Sequence, residues 1–141
     1  MMNIHASLIE LNGKGILIRG KSGSGKSDLA LRFIYERKAK LVADDRVDVW
    51  LEDGVVKGKA PKELYGMLEI RGVGISVFSD VVSHVSIDLV VDLVDSIDKI
   101  ERMPEKEFLD ILGVKIPKID MFAFECSTIY KIIQKISGKI I

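Results

Sequence analysis

Residues Gly20 to Ser27 read GKSGSGKS and match the phosphate-binding loop pattern G-x-x-x-x-G-K-[ST] at every fixed position. The apolar run Ile16 to Ile18, before the loop, is typical of a buried strand, and Asp28 to Ile34, after it, has the apolar spacing of a helix. Strand, loop and helix thus follow one another in the order that this loop requires. The chain is predicted to fold as an α/β unit that binds phosphate groups.

The chemistry of the loop follows from its residue types. Glycines let backbone N–H groups turn inward around phosphate oxygens, and the helix N-terminus adds a partial positive charge. Lys26 is expected to reach the outer phosphates, and the Ser27 hydroxyl to ligate Mg²⁺. The predicted nucleotide-binding residues are Gly20, Lys21, Ser22, Gly23, Ser24, Gly25, Lys26 and Ser27. The alternative is a glycine-rich turn that only caps a helix.

Composition limits the class of protein. The 141 residues, 48% of them hydrophobic, suit a single domain over residues 1–141. Lys plus Arg and Asp plus Glu number 21 each, so no net field attracts nucleic acid or an anionic membrane. Cys126 is the only cysteine, which we expect to be buried, in a reducing, cytoplasmic setting. No apolar stretch reaches the roughly 20 residues that span a bilayer, so we expect a soluble protein without membrane partners.

Short strands and two helices are predicted around the loop. Ile4 to Leu11 is predicted to be one strand, Asn12-Gly13 a hairpin turn, and Gly15 to Arg19 the strand that leads into the loop. A helix is expected from about Ser27 to Arg37. A second helix, with isoleucines spaced over Ile129 to Ile136, is predicted to pack on the core.

Three further strands are predicted after the first helix. Leu41 to Ala43 reads as a buried strand, and Met67 to Arg71 alternates apolar and charged residues. His84 to Leu93 alternates over a longer stretch, which predicts a half-buried strand with Asp88 and Asp92 on its solvated face.

Asp44 and Asp45 directly follow the strand at Leu41 to Ala43. A carboxylate at such a strand end can help to hold Mg²⁺, and a kinase also needs one to accept the proton of the attacking hydroxyl. Successive side chains of a strand point to opposite faces, so only one aspartate can aim at the terminal phosphate unless the strand bends. The alternative is an Asx turn followed by a salt bridge with Arg46.

Four segments together resemble one family. They read GILIRGKSGSGKSDLAL, LVADDRVDV, AP followed by LYGMLEIRGVGI, and ILGVKIPKI. They resemble HPr kinase/phosphorylase, a bacterial enzyme that acts on a regulatory serine of the phosphocarrier protein HPr, in its short form limited to the C-terminal catalytic domain. The resemblance implies a mixed β-sheet around the loop and a nucleotide site related to that of phosphoenolpyruvate carboxykinase. The chain contains no Gly-rich kinase loop and no HRD sequence, which agrees.

The resemblance implies roles for individual residues. Lys26 matches the family's phosphate-contacting lysine, and Ser27 and Glu69 match its metal positions, with ATP and Mg²⁺ as the expected cofactors. Asp45 matches the carboxylate that takes the serine proton, with Asp44 as the substitute assignment.

Two further residues are expected to assist. His5 matches the family's active-site histidine; otherwise it is a structural or surface residue of a strand. Arg71 lies in the catalytic segment and suits a transferring phosphoryl group; otherwise it pairs with Glu69.

The expected function is phosphorylation of HPr by ATP, in a homo-oligomer that the family suggests is a hexamer. No arginine follows Arg102, whereas the long family members have one in a segment that supports phosphorolysis, so that catalytic role has no counterpart here and the reverse reaction is left open. Two alternatives remain open: a small-molecule kinase with the same loop, and a nucleotide-binding regulator that has lost transfer.

Overall fold

The computed structural model describes residues 1–141 as eleven strands and two helices. The strands are β1 (Met2–Ile4), β2 (Ser7–Leu11), β3 (Lys14–Arg19), β4 (Lys40–Ala43), β5 (Val47–Glu52), β6 (Val55–Lys59), β7 (Met67–Ile70), β8 (Gly74–Val77), β9 (Val85–Val94), β10 (Glu107–Ile111) and β11 (Val114–Phe122). The helices are α1 (Lys26–Arg37) and α2 (Thr128–Ser137). No helix is long and apolar enough to cross a membrane.

A mixed nine-stranded sheet forms the framework. Two neighbouring parallel strands, β3 and β9, form its centre, and β3 pairs antiparallel with β2 on its other side. The other edge of β9 is divided, because its start pairs with β6 and its end, Val90 to Val94, pairs in parallel with β11. Strands β7 and β8 form a separate two-stranded sheet. The predicted α/β class with a mixed sheet is therefore confirmed.

The two faces of the sheet bury two apolar clusters of 14 residues each. On one face, Phe33 of α1 and Ile132 of α2 pack with Ile18 of β3, and all three side chains are fully buried. Burying each such side chain stabilises the fold by about 1.5–3 kcal/mol. On the other face, Leu17 and Val90 pack beneath the outer strands of the curled sheet. The strand that carries the loop is thus held from both sides.

The N-terminal segment differs from its prediction. Residues Ile4 to Leu11 form two strands rather than one, with a bend at His5 and Ala6. The bend arises because β1 pairs with β5, whereas β2 pairs with β3 and β4. The rest of the hairpin is as predicted, and Asn12 and Gly13 adopt the positive φ angles, 51° and 84°, that a two-residue turn requires.

The prediction that Asp88 and Asp92 lie on a solvated face of β9 is wrong. Asp92 accepts two hydrogen bonds from the Arg19 guanidinium, at 2.7 and 2.8 Å, and lies 3.3 Å from the Lys118 ammonium. Asp88 accepts hydrogen bonds from the Gly15 N–H and the Ser86 hydroxyl. Both aspartates are half-buried and structurally bonded rather than simply hydrated.

The expectation for Cys126 is also wrong. The side chain is exposed, in the loop between β11 and α2. The helix that follows buries Ile129 and Ile132 as predicted.

Candidate active site

The loop from Gly20 to Ser27 joins β3 to α1, and its glycines have conformational reasons. Gly23 and Gly25 have φ angles of 83° and 101°, which side chains rarely adopt. A Cβ on Gly20 would lie 2.4 Å from the Ser24 hydroxyl oxygen, so the loop folds tightly against that position. The Ser24 hydroxyl is buried and has no hydrogen-bond partner within the protein. The Ser24 hydroxyl and the N-terminus of α1, which no side chain caps, both offer hydrogen-bond donors to an anion.

The Lys26 side chain turns back and bonds to the beginning of the loop. Its ammonium donates hydrogen bonds to the carbonyl oxygens of Gly20, at 2.7 Å, and Lys21, at 3.1 Å. Burial lowers the pKa of Lys26 below its usual value, and the charges of Asp44 and Asp45 oppose that change. The ammonium is therefore held in the loop, close enough to both aspartates to feel their charges.

Asp44 is buried at the end of β4, with 6% of its surface exposed. One carboxylate oxygen accepts hydrogen bonds from the Ser7 hydroxyl, at 2.7 Å, and from the Ser27 hydroxyl, at 2.9 Å. The other accepts the backbone N–H of Glu69 at 3.3 Å. All three donors are neutral, so the negative charge of Asp44 is fixed beside the loop without a cation bonded to it.

Asp45 takes the opposite orientation because the strand bends at this point. Its φ angle is 71°, in the left-handed region that aspartate tolerates better than most residues. The side chain is 64% exposed, and its carboxylate lies 3.4 Å from Nε2 of His5. The Arg46 guanidinium instead contacts Asn3, so the salt bridge of the alternative interpretation, between the aspartate pair and Arg46, does not form. The bend lets both aspartates line the same cleft.

A cleft of about 880 Å³ brings the predicted residues together. Its walls include His5, Lys26, Ser27, Asp44, Asp45, Glu69 and Arg71. Glu69 and Arg71 come from β7 and the turn after it, and both are exposed. Arg71 forms no salt bridge with Glu69, which removes the structural alternative considered for it. The volume lies within the roughly 300–1,000 Å³ typical of small-molecule sites.

The donor set suits Mg²⁺ only in part. No group of three or more His, Cys, Asp or Glu side chains has the geometry to hold a metal. The Ser27 hydroxyl and the Asp44 carboxylate, already in contact, are the hard oxygen ligands that Mg²⁺ takes, and this ion commonly completes its shell with water and nucleotide phosphates. Residues of this chain therefore fit a metal that arrives with a phosphate ligand.

Two residues of the site have no signal in the sequence. Ser7 fixes Asp44 from the start of β2, and Phe124 lies against Gly25 of the loop, where a Cβ would be 2.9 Å from the ring. Ser7 stands in an apolar strand with no motif around it, and Phe124 lies in the loop after β11. Only the tertiary structure shows that Phe124 lines the cleft and that Ser7 bonds to Asp44 from behind it.

A mixed sheet, a phosphate-binding loop between a central strand and a helix, and a bonded carboxylate at the neighbouring strand end define a phosphate-loop nucleotide-binding domain. The family model described as the HPr Serine kinase C-terminal domain matches residues 1–140. The chain belongs to that family.

Individual relatives agree with the family match. The chain is 37% identical over 125 residues to an HPr kinase/phosphorylase of Clostridium botulinum, covering 82% of this chain and 41% of the relative. It is 40% identical over 129 residues to that of Lactobacillus acidophilus, covering 84% and 40%. The chain thus spans about two fifths of the length of these curated relatives.

A solved structure shares the fold. The Hpr(Ser) kinase/phosphatase from Coxiella burnetii superposes with a TM-score of 0.82 at 26% sequence identity, over 96% of this chain and 88% of that chain. The predicted resemblance in fold is confirmed.

Proposed function

We propose that this chain transfers the γ-phosphoryl group of ATP to a serine hydroxyl of the phosphocarrier protein HPr. The observation that carries the proposal is the meeting, in one cleft, of the phosphate-binding loop, a carboxylate bonded to its serine and a second, open carboxylate. Relatives named HPr kinase/phosphorylase support the choice of acceptor.

The loop supplies the phosphate-binding half of the reaction. Backbone N–H groups of Gly23, Ser24 and Gly25 and the Lys26 ammonium hold phosphate oxygens, while the free Ser24 hydroxyl can donate a further hydrogen bond. Catalysis of phosphoryl transfer rests mainly on positioning and charge stabilisation. Arg71, which also lines the cleft, adds a cationic fork for the transferring group.

Asp45 is proposed as the proton acceptor. It is the more open member of the pair, so a protein hydroxyl can approach it, and His5 at 3.4 Å can orient its carboxylate. Asp44 is enclosed by three hydrogen bonds and has no free approach for a protein side chain. These contacts favour Asp45 over Asp44 for this role.

Ser27 and Asp44 are proposed to hold Mg²⁺, with Glu69 contributing from β7. Bound there, the ion would neutralise charge on the nucleotide phosphates. The hydrogen bonds of Ser7 and of the Glu69 N–H keep the Asp44 carboxylate oriented toward Ser27.

Single-turnover transfer from γ-labelled ATP with Mg²⁺ to HPr tests the proposal. Label should appear on HPr and be lost with a serine-to-alanine HPr and with the Asp45→Asn enzyme. Label that persists with Asp45→Asn would reject Asp45 as the base, and label on the serine-free HPr would reject serine as the acceptor.

A second candidate is a nucleotide-binding regulator without transfer. It is favoured by the absence of arginine after Arg102, where the long family members carry an active-site arginine. Tight ATP binding with no transfer to HPr would decide for it. The same absence supports a weaker reverse reaction with inorganic phosphate, measurable as release of label from phospho-HPr.

The cellular location and the oligomeric state are proposed from the family resemblance. We propose a cytoplasmic protein that assembles as a hexamer, since the family suggests a substrate site shared between subunits. Sedimentation equilibrium of the purified chain tests this, and a monomer at micromolar concentration would reject it.

A further inference from the structure

Phe124 is an exposed aromatic side chain on the wall of the nucleotide cleft. It lies between β11 and α2, and 57% of its surface is exposed. The tip of the ring touches the phosphate-binding loop at Gly25, where a Cβ would come within 2.9 Å of Cζ. It is the only phenylalanine, tyrosine or tryptophan among the residues that line the cleft.

The backbone that carries Phe124 is fixed on both sides. The buried Thr128 hydroxyl donates to the Phe122 carbonyl oxygen at 2.6 Å, and the Arg32 guanidinium of α1 donates to the Ala123 carbonyl oxygen. On the other side, the Glu125 carbonyl oxygen accepts the Thr128 N–H at 3.3 Å, and the Glu125 carboxylate pairs with the Lys131 ammonium at 3.2 Å. An exposed ring on an anchored segment is ordered before any ligand arrives, which lowers the entropy cost of binding.

A second ring supports the first. Phe122 meets Phe124 edge to face, with ring centroids 5.6 Å apart and planes at 77°. This geometry is favourable for an aromatic pair and limits the rotation of Phe124. The ring is therefore held by Phe122 and the loop while more than half of its surface faces solvent and the cleft.

The loop itself recognises only phosphate, because its donors are backbone N–H groups, a hydroxyl and an ammonium. A nucleotide also presents a flat, apolar base that gains from stacking on an aromatic face. We propose that Phe124 forms the nucleoside subsite and stacks on the base of a nucleotide whose phosphates are held by Gly20 to Ser27. The inference rests on the proposed function and adds to it the residue that distinguishes a nucleotide from an inorganic polyphosphate.

Titration calorimetry with Mg²⁺ and two ligands tests the subsite. MgATP has a base, whereas Mg-tripolyphosphate offers phosphates alone. Phe124→Ala should weaken ATP binding by roughly 5- to 150-fold, the range expected for one base–aromatic stack, and leave tripolyphosphate binding within twofold. Phe124→Leu, which keeps apolar bulk but has no aromatic face, should fall near the alanine variant, and Phe124→Tyr should bind ATP like the wild type.

A matched control is Phe108→Ala. Phe108 is exposed to a similar extent, 54%, but lies on β10 and does not line the cleft. It should leave both ligands unaffected, and melting temperatures should show that every variant is folded.

The outcomes separate the subsite from the nucleotide site. An equal loss of both ligands in Phe124→Ala would overturn the proposal, because the ring would then only support the loop. Unchanged ATP binding would also overturn it. If the wild type binds neither ligand, both the proposed nucleotide site and the subsite are rejected. If the wild type binds both ligands and Lys26→Ala abolishes both, the nucleotide site is supported. In that case the Phe124 variants alone decide whether the subsite exists.

Discussion

Asp44 and Asp92 lie close to the C-terminal ends of different strands of one sheet, Asp44 just after β4 and Asp92 within β9, and they have opposite kinds of partner. Asp44 is bonded only by neutral donors, two hydroxyls and one backbone N–H. Asp92 is bonded by the Arg19 guanidinium and lies beside the Lys118 ammonium. The partners of the two aspartates thus indicate different roles, a structural ion pair for Asp92 and a carboxylate oriented beside the loop for Asp44.

The difference in partners shows which of the two carboxylates can still bind a cation. Burial alone would raise the pKa of Asp92, but its bonds to Arg19 and the nearby Lys118 charge outweigh burial and hold that pKa below its usual value. Its charge is already compensated within the protein. Asp44 is oriented by its hydrogen bonds, and no cation is bonded to it, although the Lys26 ammonium is near enough to interact with its charge. It can therefore still attract a metal cation beside the loop, and we expect substitutions at the two sites to have opposite signatures.

The largest effect is expected from Asp44→Asn. The amide keeps an oxygen that can accept from Ser7 and Ser27 but has no charge for Mg²⁺, so transfer to HPr should fall at least about 10²-fold. The free energy of unfolding should fall by only about 1–2 kcal/mol, because the amide oxygen still accepts from both serines while the amide NH2 cannot accept the Glu69 N–H. Single-turnover assays and urea titrations measure the two quantities. A large loss of stability with normal transfer would reverse the assignment.

Asp92→Asn should show the converse. Arg19 and Lys118 lose a charged partner in a half-buried position, and we expect the free energy of unfolding to fall by about 2 kcal/mol. Transfer should remain within a few-fold, because the loop itself is unchanged. A double-mutant cycle with Arg19→Gln in urea titrations isolates the pair, and a coupling energy near zero would contradict it.

The stabilising effect of Asp92 should also depend on pH. A carboxyl whose folded pKa is depressed stabilises the protein above its unfolded pKa of about 3.9, and loses that effect as pH falls through the lower folded value. The stability difference between the wild type and Asp92→Asn should be constant from pH 7 to 5 and shrink below about pH 4. Urea midpoints over this range test it. A difference that grows on acidification would show the opposite sign.

The smallest effect is expected from Ser7→Ala. Asp44 loses one of three donors, which should reduce the free energy of unfolding by about 1 kcal/mol and transfer by a few-fold, with a higher Mg²⁺ requirement. Ser86→Ala is the matched control, since it removes a similar hydroxyl bond, 2.8 Å long, to Asp88 outside the cleft. It should lose similar stability but keep normal transfer. Equal Mg²⁺ requirements in both variants would contradict the role of Ser7.

Local signals predicted much of this molecule. The loop at Gly20 to Ser27, helix α1 and the strand before Asp44 follow from spacing and residue type within short segments. The β10–β11 hairpin is less visible, because Pro117 lies within β11 and breaks a strand pattern.

Features set by distant partners could not be predicted in this way. The bend at His5 depends on β1 pairing with β5, more than 40 residues away. The bonded state of Asp92 depends on Arg19, 73 residues away, and on Lys118 of another strand. The alternation of apolar and polar residues along the strand therefore predicted, wrongly, that Asp92 is only solvated. For the same reason the partners of Asp44 emerged only from the three-dimensional arrangement.

The divided edge of β9 has a consequence for how the chain is synthesised and folds. Hairpins β2–β3, β5–β6 and β10–β11 join neighbouring segments and can form as soon as they are made. The open side of β3, with its apolar Ile16 to Ile18, must wait for β9, and the end of β9 must wait for β11. Long-range pairing of this kind slows folding and leaves a strand edge exposed to other chains in the meantime. The cleft, whose phosphate-binding loop follows β3, is therefore completed only after β11 has left the ribosome.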